Sequence, residues 1–264
     1  GDITVSGGSL SSFAASSSTV YTATFTPSGT GATTVDVAGS TFTDVGGNNN
    51  SAATQFTWTY DNVAPTMAIT STTAGVSSGS TTNDSTIALT FTASEATTDF
   101  AVGDITVSGG SLSSFAASSS TVYTATFTPS GAGATTVDVA GSAFTDIAGN
   151  DNSAATQFTW TYDNENPTLA SSSPPDNGTG VAVDSDITLT FSENVAAGTG
   201  NITLYKSDGT LVEAIDVTSG LVTVSGTGIT INPSSNLESS QGYYLHIAAT
   251  AVDDLVGNSF AGIG

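Results

Sequence analysis

An internal repeat constrains the fold more than any other feature of this chain. Residues 1–64 recur as residues 103–166 at an offset of 102 positions, with only seven differences. A period near 100 residues exceeds that of the small solenoid repeats and is typical of an array of separate domains. We therefore divide the chain into unit one (1–64), unit two (65–166) and unit three (167–264).

Unit two sets the length of a complete repeat, because Pro167 opens the next repeat as Pro65 opens this one. By that measure unit one is a partial domain that lacks its N-terminal strands. Unit three follows the same plan with different residues, and we assign it to a second subtype of the same domain. It stops soon after its D-x-x-G-N element, so we expect a C-terminal truncation. These features indicate a window cut from a longer array. The alternative is that a strand from a neighbouring subunit completes the cut ends.

Apolar and polar residues alternate with a period of two, and no stretch shows a helical period. In unit two, Ile87, Leu89 and Phe91 alternate with Ala88 and Thr90. One apolar face and one threonine-rich face predict antiparallel sheets with one side in water. Glycine-rich turns divide unit two into seven predicted strands, at 66–70, 85–92, 104–108, 111–115, 121–128, 134–140 and 154–162. This pattern predicts an all-β fold of tandem immunoglobulin-like β-sandwiches, seven-stranded, antiparallel and of Greek-key topology.

The charge composition excludes several classes of function. The chain carries 23 acidic residues against one basic residue, Lys206, for a net charge of −22. Because no basic side chains are available to neutralise phosphates, nucleic-acid binding is excluded, as is a polybasic contact with an anionic membrane. The lack of cysteine excludes disulfides and cysteine-ligated metals, and no apolar run is long enough to insert into a bilayer.

Catalysis is not expected either. The single histidine, His246, lies on a predicted strand on the Tyr244 side, facing solvent, and Lys206 lies in a turn. Paired carboxylates can act as the acid and base of a glycosidase. The candidates here lie at domain ends without a cleft lined by aromatic residues, so we predict that the chain is not an enzyme.

Several motifs resemble those of a known family. In unit two they are PTMAITS, FTASE, GDITVSGG, YTATFTPSG, FTDIAGN and YDN. Together they resemble the bacterial Ig-like repeats of giant surface adhesins. In unit three, FSENV and VDDLVGN resemble a sister class of bacterial Ig-like domain. The resemblance covers the whole chain and implies export, a rod of tandem domains, and calcium at the domain junctions.

Strand directions predict where the acidic residues meet. In a seven-stranded sandwich, the loop after the second strand and the loop before the last strand both lie at the N-terminal pole, where the preceding unit ends. The residues expected at the first junction are Asp61, Asn62, Glu95, Asp104, Asp146 and Asn150. At the second junction they are Asp163, Asn164, Glu165, Glu193, Asp254 and Asn258, and the matching turn of unit one holds Asp44.

Carboxylates gathered in this way repel one another unless a cation or protons neutralise them. Neither junction has a lysine or arginine to do so. Ca²⁺ accepts about six to eight oxygen ligands in irregular geometry, whereas Mg²⁺ demands an octahedron. We therefore predict structural Ca²⁺ at both junctions. The alternative interpretation is that each D-x-x-G-N element is only a turn whose aspartate accepts backbone hydrogen bonds.

These observations predict a structural stalk or spacer segment of a long extracellular bacterial adhesin or surface filament. The near identity of units one and two fits a spacer, which needs length rather than distinct surfaces. The expected partners are neighbouring Ig-like domains of the same chain, with the adhesive tip and its ligand outside this segment. One alternative is a self-assembling, homopolymeric filament or surface-layer subunit joined by strand complementation. Another is a carbohydrate-binding module, which the inward alternation of the aromatic residues disfavours.

Overall fold

The computed structural model describes residues 1–264 and consists of 22 β-strands and one 3-10 turn at Val102–Asp104. No helix in it qualifies as a membrane-spanning segment. All strand pairs are antiparallel except one, so the predicted all-β, antiparallel fold is confirmed.

The strands follow the three units along the chain. Unit one contains β1 (Thr4–Ser6), β2 (Gly8–Ala15), β3 (Tyr21–Pro27), β4 (Gly31–Asp36) and β5 (Phe56–Tyr60). Unit two contains β6 (Met67–Ser71), β7 (Thr81–Thr82), β8 (Ile87–Ala93), β9 (Ile105–Ser108), β10 (Gly110–Ala117), β11 (Val122–Pro129), β12 (Gly133–Val139) and β13 (Phe158–Tyr162). Unit three contains β14 (Leu169–Ser173), β15 (Ile187–Phe191), β16 (Val195–Ala197), β17 (Asn201–Lys206), β18 (Leu211–Asp216), β19 (Val222–Ser225), β20 (Gly228–Ile231), β21 (Tyr243–Ile247) and β22 (Val252–Asp254).

Unit two is a sandwich of two four-stranded sheets, ordered β10-β11-β8-β6 and β7-β13-β12-β9. The apolar residues of the alternating pattern point into the space between the sheets. Phe91 and Phe127 are fully buried there, and Trp160 packs edge-on against Phe127 with ring centroids 4.5 Å apart. Each such side chain contributes about 1.5–3 kcal/mol when it is removed from water. This aromatic core joins the two sheets without a disulfide.

All seven predicted strands of unit two are present, with ends shifted by up to four residues. Strand β7 was not predicted. It is only two residues long, which is too short to show an alternation of apolar and polar residues. It pairs in parallel with the C-terminal end of β13. The predicted third strand also begins later than expected, because residues 102–104 form the 3-10 turn.

Unit one repeats part of this architecture. It has a sheet β1-β4-β5, equivalent to β9-β12-β13, and a hairpin β2-β3, equivalent to β10-β11. Thr33 donates its hydroxyl to the carbonyl of Trp58 at 2.9 Å, as Thr135 does to Trp160 at 2.8 Å. The shared strands therefore keep the same local hydrogen bonding in both units.

Unit three has its own core around Phe191, Ile202 and Ile229, inside sheets ordered β14-β15-β20-β19, β18-β17-β21 and β16-β22. The strand predicted to carry His246 is confirmed as β21. Some aromatic residues of unit three point outward, among them Tyr244, whose place in the alternation predicts this. Tyr205 and Tyr244 stack across the outer face of β17 and β21 with centroids 5.3 Å apart. His246 lies on the Tyr244 side of the strand, as predicted, and is half-buried beside both rings.

Candidate metal centre

The D-x-x-G-N turns give each junction a carboxylate in a defined position. In unit two, Asp146 accepts hydrogen bonds from the backbone and side-chain nitrogens of Asn150, both at 2.8 Å. Gly149 takes a φ of 90°, a left-handed conformation that glycine adopts at little cost. In unit three, Oδ1 of Asp254 accepts three backbone N–H groups at 2.6–2.9 Å, and Oδ2 accepts Nδ2 of Asn258 at 2.8 Å. The turn interpretation is therefore correct locally.

The fold adds two more carboxylates to each of these turns. At the first junction, carboxylate oxygens of Asp61, Glu95 and Asp146 all lie within 4.8 Å of one another, and we call this group the junction-one cluster. At the second junction the same holds for Asp163, Glu193 and Asp254, the junction-two cluster. In each cluster the turn aspartate is 4% exposed and the other two residues are half-buried.

Each cluster combines three parts of the sequence. The first aspartate directly follows the last strand of the preceding unit, and its Oδ1 accepts the backbone N–H two residues later. The glutamate follows β8 in unit two and β15 in unit three. The turn aspartate precedes the last strand in unit two and ends β22 in unit three. The ends of two domains and the link between them thus meet at one point.

The electrostatics of the clusters are unfavourable without a counterion. Burial raises the pKa of Glu95, and the nearby carboxylates of Asp61 and Asp146 raise it further. Burial likewise raises the pKa of Glu193, with added repulsion from Asp163, Asp254 and Glu165.

Asp146 behaves in the opposite way to the glutamates. Burial alone would raise its pKa, but hydrogen bonds from the side chain and backbone of Asn150 hold the pKa below its usual 3.8. The single salt bridge of the structure joins Lys206 to Glu238, away from both clusters. At neutral pH Asp146 therefore stays charged beside carboxylates that have no cationic side chain to pair with.

The donor set fits a hard divalent cation. Each cluster offers three carboxylates, and the backbone carbonyls of Asp61 and Asp163 lie next to the two turn asparagines. Oxygen donors of this kind suit Ca²⁺ better than Zn²⁺ or copper, which take nitrogen and sulfur ligands.

Other residues predicted for the sites lie outside the clusters. Asp104 does not join the junction-one cluster as predicted; its Oδ2 instead accepts the backbone N–H of Ala101 at 2.7 Å within the 3-10 turn. Asn62 turns toward unit one, where its side-chain oxygen accepts the hydroxyl of Thr30 at 2.6 Å. Asn164 is exposed and makes no side-chain hydrogen bond.

The remaining predicted residues occupy supporting positions. Asn150 and Asn258 brace the turn aspartates, and their side chains also reach the preceding linker. Glu165 is exposed but close enough to act on the charge of Glu193. Asp44 forms the same turn in unit one as Asp146 does in unit two, yet it is exposed and belongs to no cluster.

Sequence reasoning missed Asp99, which joins the loop of Glu95 to the loop of Asp146 through hydrogen bonds. Its carboxylate accepts the backbone and hydroxyl groups of Thr145 and the hydroxyl of Thr97, at 2.8–3.1 Å. Thr97 also forms an isolated β-bridge with Asp146. The T-x-D spacing of Thr97 and Asp99 is the only sequence signal for these hydrogen bonds, and it is a common turn pattern.

Sequence models of known families match almost the whole chain. One model described as a bacterial Ig-like domain matches residues 1–60 and 61–162, and a second with the same description matches residues 163–263. The chain belongs to the bacterial Ig-like domain family. The predicted family is thus confirmed. A search of curated proteins gave no match.

Among solved structures, this chain aligns with the Escherichia coli adhesin FdeC at 14% identity. That alignment covers 100% of this chain and 84% of FdeC, with a TM-score of 0.44. Yersinia pseudotuberculosis InvD aligns at 16% identity over 99% of this chain and 86% of InvD, with a TM-score of 0.41. The Y. pseudotuberculosis adhesin InvE aligns at 16% identity over 72% of this chain and 52% of InvE, with a TM-score of 0.26.

Proposed function

We propose that this chain is a spacer segment of an extracellular bacterial adhesin or surface filament, in which Ca²⁺ at the domain junctions holds the bacterial Ig-like domains in line. The observation that carries the proposal is the pair of three-carboxylate clusters, one at each junction. Each cluster draws its ligands from the linker and from both loops of the following domain. An ion held there would join two domains rather than stabilise one alone.

The residues that would hold the ion are the members of the two clusters. At the first junction these are Asp61, Glu95 and Asp146, and at the second Asp163, Glu193 and Asp254, with Glu165 adding negative charge. When bound, Ca²⁺ supplies positive charge and a multidentate bridge between oxygen atoms. The chain's own part is to hold the turn aspartate through its asparagine and to bring the linker aspartate over it.

The linkers explain why an ion at these points affects stiffness. Residues 61–64 and 163–166 connect the domains, and each is followed by a proline that keeps the preceding residue extended. Without a counterion, repulsion among the three carboxylates opposes closure of the junction. With Ca²⁺ in place, the same carboxylates would clamp the linker to the next domain, so a hinge becomes a rigid joint.

A spacer role also agrees with the surface of the molecule. Its strands present threonine and serine to water, and the net charge of the chain is −22. Location at the cell surface follows from this role, with the ligand of the adhesive tip bound elsewhere in the assembly. Self-assembly into a homopolymeric filament stays a prediction of the sequence, tested by sedimentation of the chain.

The decisive experiment compares the whole chain with Ca²⁺ and with a chelator, by calorimetric melting and by small-angle scattering. We expect Ca²⁺ to raise the melting temperature and to lengthen and narrow the distribution of interatomic distances. At 100 times Kd a ligand adds about 2.7 kcal/mol of stability to the folded state.

The test variant is Glu95→Gln/Glu193→Gln, which removes one carboxylate from each cluster. The matched control is Asp184→Asn/Asp186→Asn, which removes two negative charges at exposed positions outside the clusters. The control should keep the full response to Ca²⁺, whereas the cluster variant should lose most of it. If wild type and cluster variant respond alike, or neither responds, calcium stiffening is wrong.

A further inference from the structure

The two domain junctions differ more than the repeated units that lead into them. Units one and two differ at seven positions, and three of these lie in the linkers or in the turn beside each linker. The three pairs are Thr30 and Ala132, Val63 and Glu165, and Ala64 and Asn166. Nearly half of the differences therefore fall where one domain joins the next.

Thr30 holds the first linker against unit one. It precedes β4, whose first residue Gly31 pairs with Tyr60 at the end of β5, and this register brings the β3–β4 turn beside the linker. The hydroxyl of Thr30 donates to Oδ1 of Asn62 at 2.6 Å and accepts the backbone N–H of Asn62 at 3.3 Å. One hydroxyl thus fixes both the side chain and the backbone of Asn62.

The residue before Asn62 is Asp61, the linker member of the junction-one cluster. Oδ1 of Asp61 accepts the backbone N–H of Val63 at 3.0 Å, and its carbonyl accepts Nδ2 of Asn150 from unit two at 3.4 Å. Asp61 therefore has a fixed neighbour on the unit-one side and a contact with unit two through its own carbonyl. Its position does not depend on a cation alone.

The second linker lacks the equivalent contact. Gly133 pairs with Tyr162 in the same register, so Ala132 lies beside the second linker as Thr30 lies beside the first. Alanine has no hydroxyl, and Asn164 makes no side-chain hydrogen bond. The sequence change from threonine to alanine thus removes a hydrogen-bonding group that the shared backbone would otherwise place against the linker.

The contacts that the second linker does make lie on either side of Asn164. The backbone N–H of Asp163 donates to the carbonyl of Thr82 in unit two at 3.0 Å. From unit three, Nδ2 of Asn258 donates to the carbonyl of Asp163 at 3.0 Å. A direct contact from Asn83 of unit two to Asn258 is long, at 3.5 Å. No contact to unit two extends beyond Asp163 along the linker.

We propose that Thr30 is a positioning residue that presets the first junction, because it ties the linker to unit one and holds Asp61 at the cluster before a cation binds. The second junction has no such tie. In the absence of a cation the first junction is therefore the stiffer joint, and the second is the main hinge of the chain. The role of Asp61 as a ligand rests on the proposed function, whereas this difference in stiffness does not.

The test measures the distance between two spin labels across each junction of the full chain, in chelator, by double electron–electron resonance. Because the chain contains no cysteine, labels attach only at introduced cysteines. Thr59→Cys/Ala88→Cys spans the first junction, and Ala88→Cys/Thr223→Cys spans the second, all at exposed strand positions.

Three variants are made in each labelled background. Thr30→Ala removes the hydroxyl and introduces the residue that unit two carries at the equivalent position, so the turn itself is preserved. Thr30→Ser keeps the hydroxyl and is the matched control. Ala132→Thr adds a hydroxyl beside Asn164 and should create the missing tie at the second junction.

We expect the unmodified sequence to give a narrower distance distribution across the first junction than across the second. Thr30→Ala should raise the population of bent conformers at the first junction about twofold to tenfold, the effect of one net hydrogen bond. Thr30→Ser should leave both distributions unchanged, and Ala132→Thr should narrow the second. If Thr30 served only its own turn, Thr30→Ala would lower the melting temperature without changing either distribution, and that outcome overturns the proposal.

A Ca²⁺ titration of the same labelled pairs separates this proposal from the proposed function. Thr30→Ala should raise the Ca²⁺ concentration needed to narrow the first distribution by the same factor, because a preset ligand loses less entropy on binding. A first distribution that broadens with Thr30→Ala but ignores Ca²⁺ would refute the calcium role and support the tie. An Ala132→Thr variant whose second distribution equals that of the unmodified sequence would overturn the tie.

Discussion

Asn258 of unit three donates a hydrogen bond from Nδ2 to the backbone carbonyl of Asp163 in the preceding linker, at 3.0 Å. The same nitrogen lies 2.8 Å from Oδ2 of Asp254. Asn150 repeats this arrangement at the first junction, more loosely, with Asp61 at 3.4 Å. Since one amide contacts both the turn carboxylate and the linker backbone, the position of the linker depends on the charge state of the cluster.

Glu95→Gln should have opposite effects with and without calcium. In chelator it removes one of three mutually repelling charges, so the free energy of unfolding should rise by about 1 kcal/mol, the interaction of two unit charges ~4 Å apart in water. In Ca²⁺ it removes a ligand, so the variant should be less stable than wild type. Calorimetry in both conditions measures this crossover, and Asp184→Asn serves as the charge-matched control.

The stability that Glu95→Gln gains over wild type in chelator should depend on pH in a defined direction. The folded-state pKa of Glu95 is raised above 4.5, so the destabilisation it causes in chelator is absent below that value and grows as the pH rises through the raised pKa. The stability difference between Glu95→Gln and wild type in chelator should therefore narrow as the pH is lowered from 7 toward 4.5. A difference that stays constant over this range would contradict the repulsion we assign to Glu95.

The two junctions should bind calcium unequally. Val63 in the first linker corresponds to Glu165 in the second, and Glu165 acts on the charge of Glu193. Val63→Glu should raise affinity at the first junction, and Glu165→Val should lower it at the second. One added charge contributing about 1 kcal/mol changes Kd about fivefold. Calcium titration calorimetry resolves the two classes of site, and equal affinities in all three proteins would refute the assignment.

Asp99 should act as a positioning residue for the junction-one cluster. Asp99→Asn removes charge-assisted hydrogen bonds to Thr145, each worth about 1.5–3 kcal/mol, so the free energy of unfolding at pH 7 should fall by roughly that amount. Burial alone would raise the pKa of Asp99, but these hydrogen bonds keep it below 3.8. The stabilisation is therefore present above pH 3.8 and is lost as the pH falls through the lowered pKa.

Denaturant melts of Asp99→Asn and wild type across pH 2–7 check this, because the two curves should converge at the acid end. The calcium affinity of the variant should also fall, since Thr145 adjoins Asp146. A variant that loses stability but keeps its calcium affinity would show that Asp99 has only a structural role.

Asn152 should be essential to unit two although it makes no hydrogen bond to a cluster residue. It is 4% exposed, and its side chain accepts the backbone N–H groups of Ala143 and Phe144 and donates to the carbonyls of Ala140 and Ser153, all at 2.7–3.0 Å. Asn152→Leu leaves these buried groups unpaired, each at a cost of about 1–3 kcal/mol.

We expect Asn152→Leu to lower the free energy of unfolding by several kcal/mol, measured by urea denaturation. The control is Asn166→Leu, an exposed linker position whose side chain makes no hydrogen bond. Comparable losses in the two variants would contradict the role given to the buried amide.

The strands and the clusters were predictable for a shared reason. Alternation of apolar and polar residues marks each strand, and the order of strands in a sandwich fixes which loops share a pole. That reasoning placed Glu95 beside Asp146 although they are 51 positions apart. It failed for Asp104, because the 3-10 turn at Val102–Asp104 folds the carboxylate back onto Ala101, and no periodic pattern signals such a turn.

A comparison of Asp44 with Asp146 shows which features local sequence determines and which depend on the tertiary structure. Local sequence determines the turn, so both aspartates accept hydrogen bonds from the asparagine four positions later. Only Asp146 is buried and joined by two other carboxylates, because Glu95, Thr97 and the preceding linker lie against it. Hydrogen bonds within a turn depend on neighbouring residues alone, whereas burial and the meeting of charges depend on which distant segments the fold brings together.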